Sequence, residues 1–247
     1  MTLDVFQFEN LSAVSGVVHA ITTRSGGVSE GRCESLNVSY SVGDAEENVD
    51  ENLRRAADSV GARREDLFAA YQVHGRAVTL VEPETQPRPK CDVLITRSPE
   101  KSLMLRFADC TPVLLADTRR NVIGAVHAGW RGSAVRAAGA AVAALGEVCG
   151  SNPRDLVVGI GPAIGPCCYE VGEDVVTAFA DRPWLFTDSR LDLWEANRQA
   201  LVEAGVPADQ IEVARVCTRC QSERFFSHRA NGGQPAGRFA ALIRLAC

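Results

Sequence analysis

Basic charge, long apolar runs and histidine are all scarce in this chain. Its 26 Lys and Arg are outnumbered by 31 Asp and Glu, a formal net charge of −5, so the basic footprint of a nucleic-acid-binding protein is missing. No stretch approaches the roughly 18 consecutive apolar residues of a membrane helix. Met1–Gln7 has no basic segment leading into an apolar one, so no secretory signal is expected. Neither nucleic acid nor membrane is an expected partner. A Walker A loop, a G-x-G-x-x-G after a strand, a G-x-S-x-G elbow and an H-E-x-x-H helix are likewise missing. These absences remove the common nucleotide-loop, serine-hydrolase and zincin readings.

What the chain has is 247 residues, enough for a sizeable core, and nine cysteines. An odd number of cysteines scattered through a chain this long does not suit a disulfide scaffold; it fits a reducing cytoplasm. Short apolar runs bounded by turn residues predict strands at Val14–Thr22, Val78–Val81, Val93–Thr96, Leu103–Phe107, Pro112–Ala116, Asn121–Val126, Leu156–Ile160, Ile211–Val216 and Phe239–Leu245. Asp44 with Glu47 predicts a capped helix running toward Gly61. The alanine-rich Ser133–Val148 predicts a second helix ending at Gly150, and Asp192 with Glu195 opens a third that stops at Gly205. The PETQPRPK stretch reads as an exposed loop. With no repeat and no linker, the expectation is one α+β domain over residues 1–247, a mixed sheet with helices packed on it.

Because there are four histidines, each can be weighed. His19 lies inside an apolar strand and reads as structural. His74, His127 and His228 stand at element ends beside glycine, where sites are usually built. Cys110 interrupts two apolar runs in LRFADCTPVLLAD, with Asp109 before it. Two imidazoles and a thiolate from separate strand ends suit zinc and leave one position for water or substrate, as catalytic zinc requires. Arg131, with Gly132 and Ser133, sits at the expected start of the alanine-rich helix, where an anion is favoured. Cys217-Thr-Arg-Cys220 is a lone C-x-x-C, and the Cys167-Cys168 pair reads as packing or redox-active.

TTRSGGVS, SLNVSYSVGD, YQVHG, CDVLITR, LRFADCTPVLL, VHAGWRGS, GIGPAIGPCCYEVGEDV and ERFFSHRANGG follow one another in an order that resembles the laccase-domain (polyphenol oxidase, YfiH-like) family, over about Thr22 to Leu245. The resemblance implies a YfiH-like α+β fold, with His74, Cys110 and His127 as ligands of zinc, copper being the less favoured ion. It implies a purine nucleoside phosphorylase that splits adenosine, inosine or S-methyl-5'-thioadenosine with phosphate, with adenosine deamination as a side activity. Purine nucleosides and phosphate are then the partners, and the chain a monomer or homodimer. Cys110, Asp109, His228 and Glu170 are the expected catalytic residues. Arg24, Asn37, Arg54, Arg131 and Arg229 are expected to bind substrate or phosphate. Arg54 stands in Asn52-Leu53-Arg54, where the family carries Asn-Arg. Two other readings remain: a cysteine amide hydrolase that edits peptidoglycan precursors, with Cys110 as nucleophile, and a zinc-binding module without catalysis.

Overall fold

The longest strands are apolar on both faces, and a strand of that composition must be covered on both sides. In the computed structural model, which describes residues 3–86 and 88–246, two mixed sheets face each other and helices cover the outside of each. Cys247, and Pro87 within the expected exposed loop, lie outside the described residues.

The strands in chain order are β1 (Val5–Phe6), β2 (Val17–Thr22), β3 (Leu67–Ala69), β4 (Val78–Val81), β5 (Val93–Thr96), β6 (Ser102–Phe107), β7 (Thr111–Asp117), β8 (Val122–Ala128), β9 (Leu156–Ile160), the short pair β10 (Phe186–Thr187) and β11 (Arg190–Leu191), β12 (Ile211–Val213) and β13 (Phe239–Leu245). One sheet has the order β1-β2-β13-β6-β3 and the other β12-β9-β7-β8-β5-β4. The helices are α1 (Glu9–Ser12), α2 (Glu46–Asp58), α3 (Trp130–Ala134), α4 (Ala137–Cys149), α5 (Glu173–Ala178) and α6 (Leu193–Glu203).

Alternation along each strand divides its side chains between cores. On β7 and β8, Leu114, Ala116, Ile123 and Ala125 face the other sheet, against Phe107, Phe239 and Ile243. Val113, Leu115, Val122 and Val126 face α4 and α6, meeting Ala141, Leu145 and Leu201. The other sheet turns Ala20, Met104 and Leu242 outward under Val49, Leu53 and Ala56 of α2.

Two helices depart from expectation. Asp44 does not cap α2; its carboxylate takes the Ser29 hydroxyl and the Asn37 amide instead, and the helix begins two residues later. The alanine-rich helix starts earlier and breaks in two. Arg136 adopts φ 56° between α3 and α4, and the buried guanidinium of Arg182 donates to the Ala134 carbonyl and to that of Ser133, which also accepts the Arg136 amide. Ser133 is no cap: its hydroxyl accepts from the buried Asn197 amide. Asp192 does cap α6, accepting the Glu195 amide at 3.0 Å.

Candidate active site

β6 ends in one sheet at Phe107 and β7 begins in the other at Thr111, so Ala108-Asp109-Cys110 crosses between the sheets at one end of the sandwich. At that end β8 finishes, with His127 opposite Pro112, and β13 starts, with Phe239 opposite Phe107. His127 shares the strand face of Ile123 and Ala125, so its ring enters the gap between the sheets, 5.4 Å from the Phe107 ring. His74 comes from the turn between β3 and β4, at φ 61°.

These placements bring the ligand atoms of His74, Cys110 and His127 within 4.8 Å of one another. The His74 and His127 rings meet edge to face at 4.9 Å. One carboxylate organises the group. Asp92, fully buried ahead of β5, accepts His127 Nδ1 at 2.8 Å and the backbone amides of Val73, His74 and Gly75 at 3.2, 2.9 and 2.7 Å. Fixing Nδ1 leaves His127 Nε2 to face the cavity, the arrangement that orients metal-ligating imidazoles.

Cys110 and His127 form a thiolate–imidazolium pair, in which a cation would take the place of the His127 proton. Burial alone would push the Cys110 thiol up, but His127 and His74 beside it bring it down to about 6. Burial opposes charge on His127 too, yet Cys110 and Asp92 raise it to about 9. Burial likewise works against the Asp92 carboxylate, and His127 with the turn amides outweighs it, holding it below the ordinary range. Cys110, His74 and His127 offer one sulfur and two nitrogen donors that together could hold a metal ion. Gly129 makes the convergence possible: a Cβ there would stand 2.9 Å from Cys110 Sγ and 3.2 Å from His74 Cδ2.

A cavity of about 520 Å³ opens over the triad, within the range of small-molecule sites. His228 lines it, as do Arg88, Arg106 and Arg238 with Ser39, Ser41, Gln72 and the exposed Tyr71. Arg106 donates to the Ala70 carbonyl and Arg238 to those of Ala236 and Gly237. Among the described residues neither pairs with a carboxylate. Burial lowers the guanidinium pKa of both, and the positive charge of Arg88 adds to the effect at Arg106.

The other residues singled out in the sequence lie outside the lining of this cavity. Asp109 accepts the Thr218 hydroxyl at 2.6 Å and the Arg229 amide at 2.7 Å, which joins three loops behind Cys110. The Arg229 guanidinium donates to the Glu170 carbonyl, over the Tyr169 ring, and the Glu170 side chain is exposed. Asn37 is buried, holding Ser39 and the Arg238 amide. Arg24 donates to the Glu34 and Ser222 carbonyls beside a separate cavity of about 170 Å³. Arg131 is exposed and stacks on Trp130, and Arg54 pairs outward with Glu51 and Asp58. His19 is structural, its Nε2 accepting the Phe8 amide.

Asp92, Arg88, Arg106 and Arg238 escaped the sequence reading. A half-buried arginine inside the apolar strand LMLRF is a signal in itself, since strands covered on both faces carry charge only for a reason.

Comparison with known proteins finds the same fold and a shared family. A 37% identical solved structure, Bacillus licheniformis YfiH, superposes with a TM-score of 0.89 over 93% of this chain and 92% of that one. A curated relative, purine nucleoside phosphorylase YlmD of Geobacillus stearothermophilus, is 38% identical over 248 residues, covering 93% of this chain and 90% of its own. Another, adenosine deaminase RL5 from an unknown prokaryotic organism, is 30% identical across 98% of this chain and 99% of its own. The family model for multi-copper polyphenol oxidoreductase laccase matches residues 18–246, and the chain belongs to that family.

Proposed function

We propose that the protein is a zinc-dependent purine nucleoside phosphorylase acting in the cytoplasm. The observation that carries the reading is the cavity lining, which combines three arginines with the His74–Cys110–His127 group and has no carboxylate among its described residues. Phosphorolysis needs an anion held beside the ribose; unpaired guanidinium groups in a partly enclosed space provide that. Arg88, Arg106 and Arg238 are the proposed phosphate ligands, with the Ser39 and Ser41 hydroxyls beside them. Tyr71, 60% exposed, offers a ring face to the purine, and His228 is placed to protonate the leaving base or contact the ribose. His74, Cys110 and His127 would hold the zinc, which when bound supplies a Lewis acid with one position open to substrate.

In the reaction, a phosphate oxygen bonds to C1′ as the bond from C1′ to the base nitrogen breaks. The base leaves with a proton, and ribose 1-phosphate remains. Deamination of adenosine, the activity named for one relative, is proposed as secondary, because a carboxylate to move its protons is missing from the described lining. Oxidation by several coppers fits the residues poorly: one of the four histidines is spent inside β2 on the Phe8 amide.

Incubating the pure protein with adenosine, with and without phosphate, tests the reading. Adenine formed only with phosphate is the expected product; inosine in both samples would overturn it. Arg106→Gln is expected to raise the KM for phosphate at least about tenfold, the loss of about 1.4 kcal/mol of phosphate binding, with zinc content unchanged.

The low pKa of Cys110 beside His127 also suits a cysteine nucleophile. Loss of one zinc equivalent per chain in Cys110→Ala, relative to the wild type, supports the metal reading. Rapid alkylation of Cys110 with no loss of metal supports the nucleophile.

A further inference from the structure

Four cysteines outside this site also converge. Cys167 and Cys168 lie in the loop after β9, and Cys217 and Cys220 follow β12. Because β9 and β12 pair in parallel, the two loops leave the sheet side by side, and Ala163 bridges to Cys217. The C-x-x-C that stands alone in the sequence therefore finds its second pair 50 residues earlier, a distance that only the fold closes.

Cys220 Sγ stands 3.4 Å from Cys168 Sγ and 3.6 Å from Cys167 Sγ, and all four sulfurs lie within 4.8 Å of one another. Sulfurs bound tetrahedrally to one zinc at about 2.3 Å are about 3.8 Å apart, so the group already has nearly that size. The Gly165 amide donates to Cys217 Sγ at 3.3 Å, a contact that stabilises a thiolate. Arg219, between the two cysteines of the knuckle, donates to the Cys168 carbonyl and brings positive charge next to the sulfurs. Since Cys220 is close to both Cys167 and Cys168, one centre with four bonds satisfies all the contacts. A single S–S bond would leave two thiols over.

We propose that Cys167, Cys168, Cys217 and Cys220 form a second, closed site for one thiophilic divalent cation of the zinc class. Binding replaces four S–H bonds by four metal–sulfur bonds and releases the protons to solvent. With no position open, the ion is a brace. It ties the loop of Tyr169 and Glu170, on which Arg229 rests, to the turn of Thr218, whose hydroxyl holds Asp109 beside Cys110. The inference is independent of the nucleoside reading.

The test uses the full chain carrying Cys110→Ala, which removes a ligand of the first site and its only sulfur. Purified under reducing conditions without chelator, this protein is expected to keep one zinc per chain by elemental analysis. Exchanged with cobalt(II), it is expected to show the strong thiolate-to-cobalt absorption of a tetrahedral sulfur site. Adding Cys220→Ser or, separately, the exposed Cys167→Ser is expected to abolish the band and reduce the zinc at least tenfold. A Cys110→Ala protein that is folded by circular dichroism yet holds no zinc and gives no cobalt–thiolate band overturns the proposal. So does an intramolecular disulfide among these cysteines in the freshly reduced protein.

Discussion

Gly129 and His19 show how much a single position decides. The space beside Gly129 is already filled by Cys110 and His74, so Gly129→Ala forces one of the two ligands out of place. Neither neighbour can retreat easily, because Asp92 pins the backbone of His74 and Cys110 lies between Asp109 and the start of β7. The expected result is a loss of metal affinity of about 10- to 100-fold with the circular dichroism spectrum unchanged, measured by chelator competition. At His19, burial lowers the imidazole pKa to about 4, while Nε2 accepts the Phe8 amide. An unfolded histidine binds its proton near pH 6.5, so between there and pH 4 the unfolded chain holds a proton that the folded chain excludes. Stability therefore falls as pH drops through that window, by about 2 kcal/mol from pH 7 to pH 5. Urea titrations at the two pH values should show this loss in the wild type and a much smaller one in His19→Gln.

Among the elements, the break between α3 and α4 rests on a side chain 48 residues further on. Arg182, 2% exposed, donates to the Ser133 and Ala134 carbonyls at 3.3 and 2.8 Å. Arg182→Ala takes the guanidinium from the Ala134 carbonyl and leaves that of Ser133 with the Arg136 amide alone, and is expected to cost about 2–3 kcal/mol, read as a lower Tm by calorimetry. This break also marks the limit of the sequence reading. Local signals were legible wherever local physics decides, as in the doubly apolar strands, the Asp192 cap and Gly150 at the end of α4, at φ 68°. The division of Ser133–Val148 was not, because it depends on Arg182 arriving from a distant loop. The site divides in the same way. His74, Cys110 and His127 were marked by their positions at element ends. Arg106 stands out as a lone charge in LMLRF but does not show what it faces, and Arg238 looks like an ordinary loop residue, until β13 lies beside β6. The cysteine group escaped because nothing in a C-x-x-C says which other pair the fold delivers.

At the scale of the whole molecule, β13 sits in the middle of its sheet, antiparallel to β2 and to β6, although it is more than 130 residues beyond β6 in the chain. Its Ala241 and Ile243 complete the core between the sheets, and its Leu242 the core beneath α2. A chain ending at Arg238 leaves both cores open and is expected to fail to fold, seen as loss of soluble protein and of a cooperative thermal transition. The same topology sets an order of events during synthesis. His74, Asp92, Cys110 and His127 have all been made when only about half the chain has been translated, whereas His228 and Arg238 come near its end. The ribosome thus delivers His74, Cys110 and His127 first, together with Arg88 and Arg106, and the His228 and Arg238 side of the cavity last. The cavity is complete only once β13 has threaded between strands made more than a hundred codons before it.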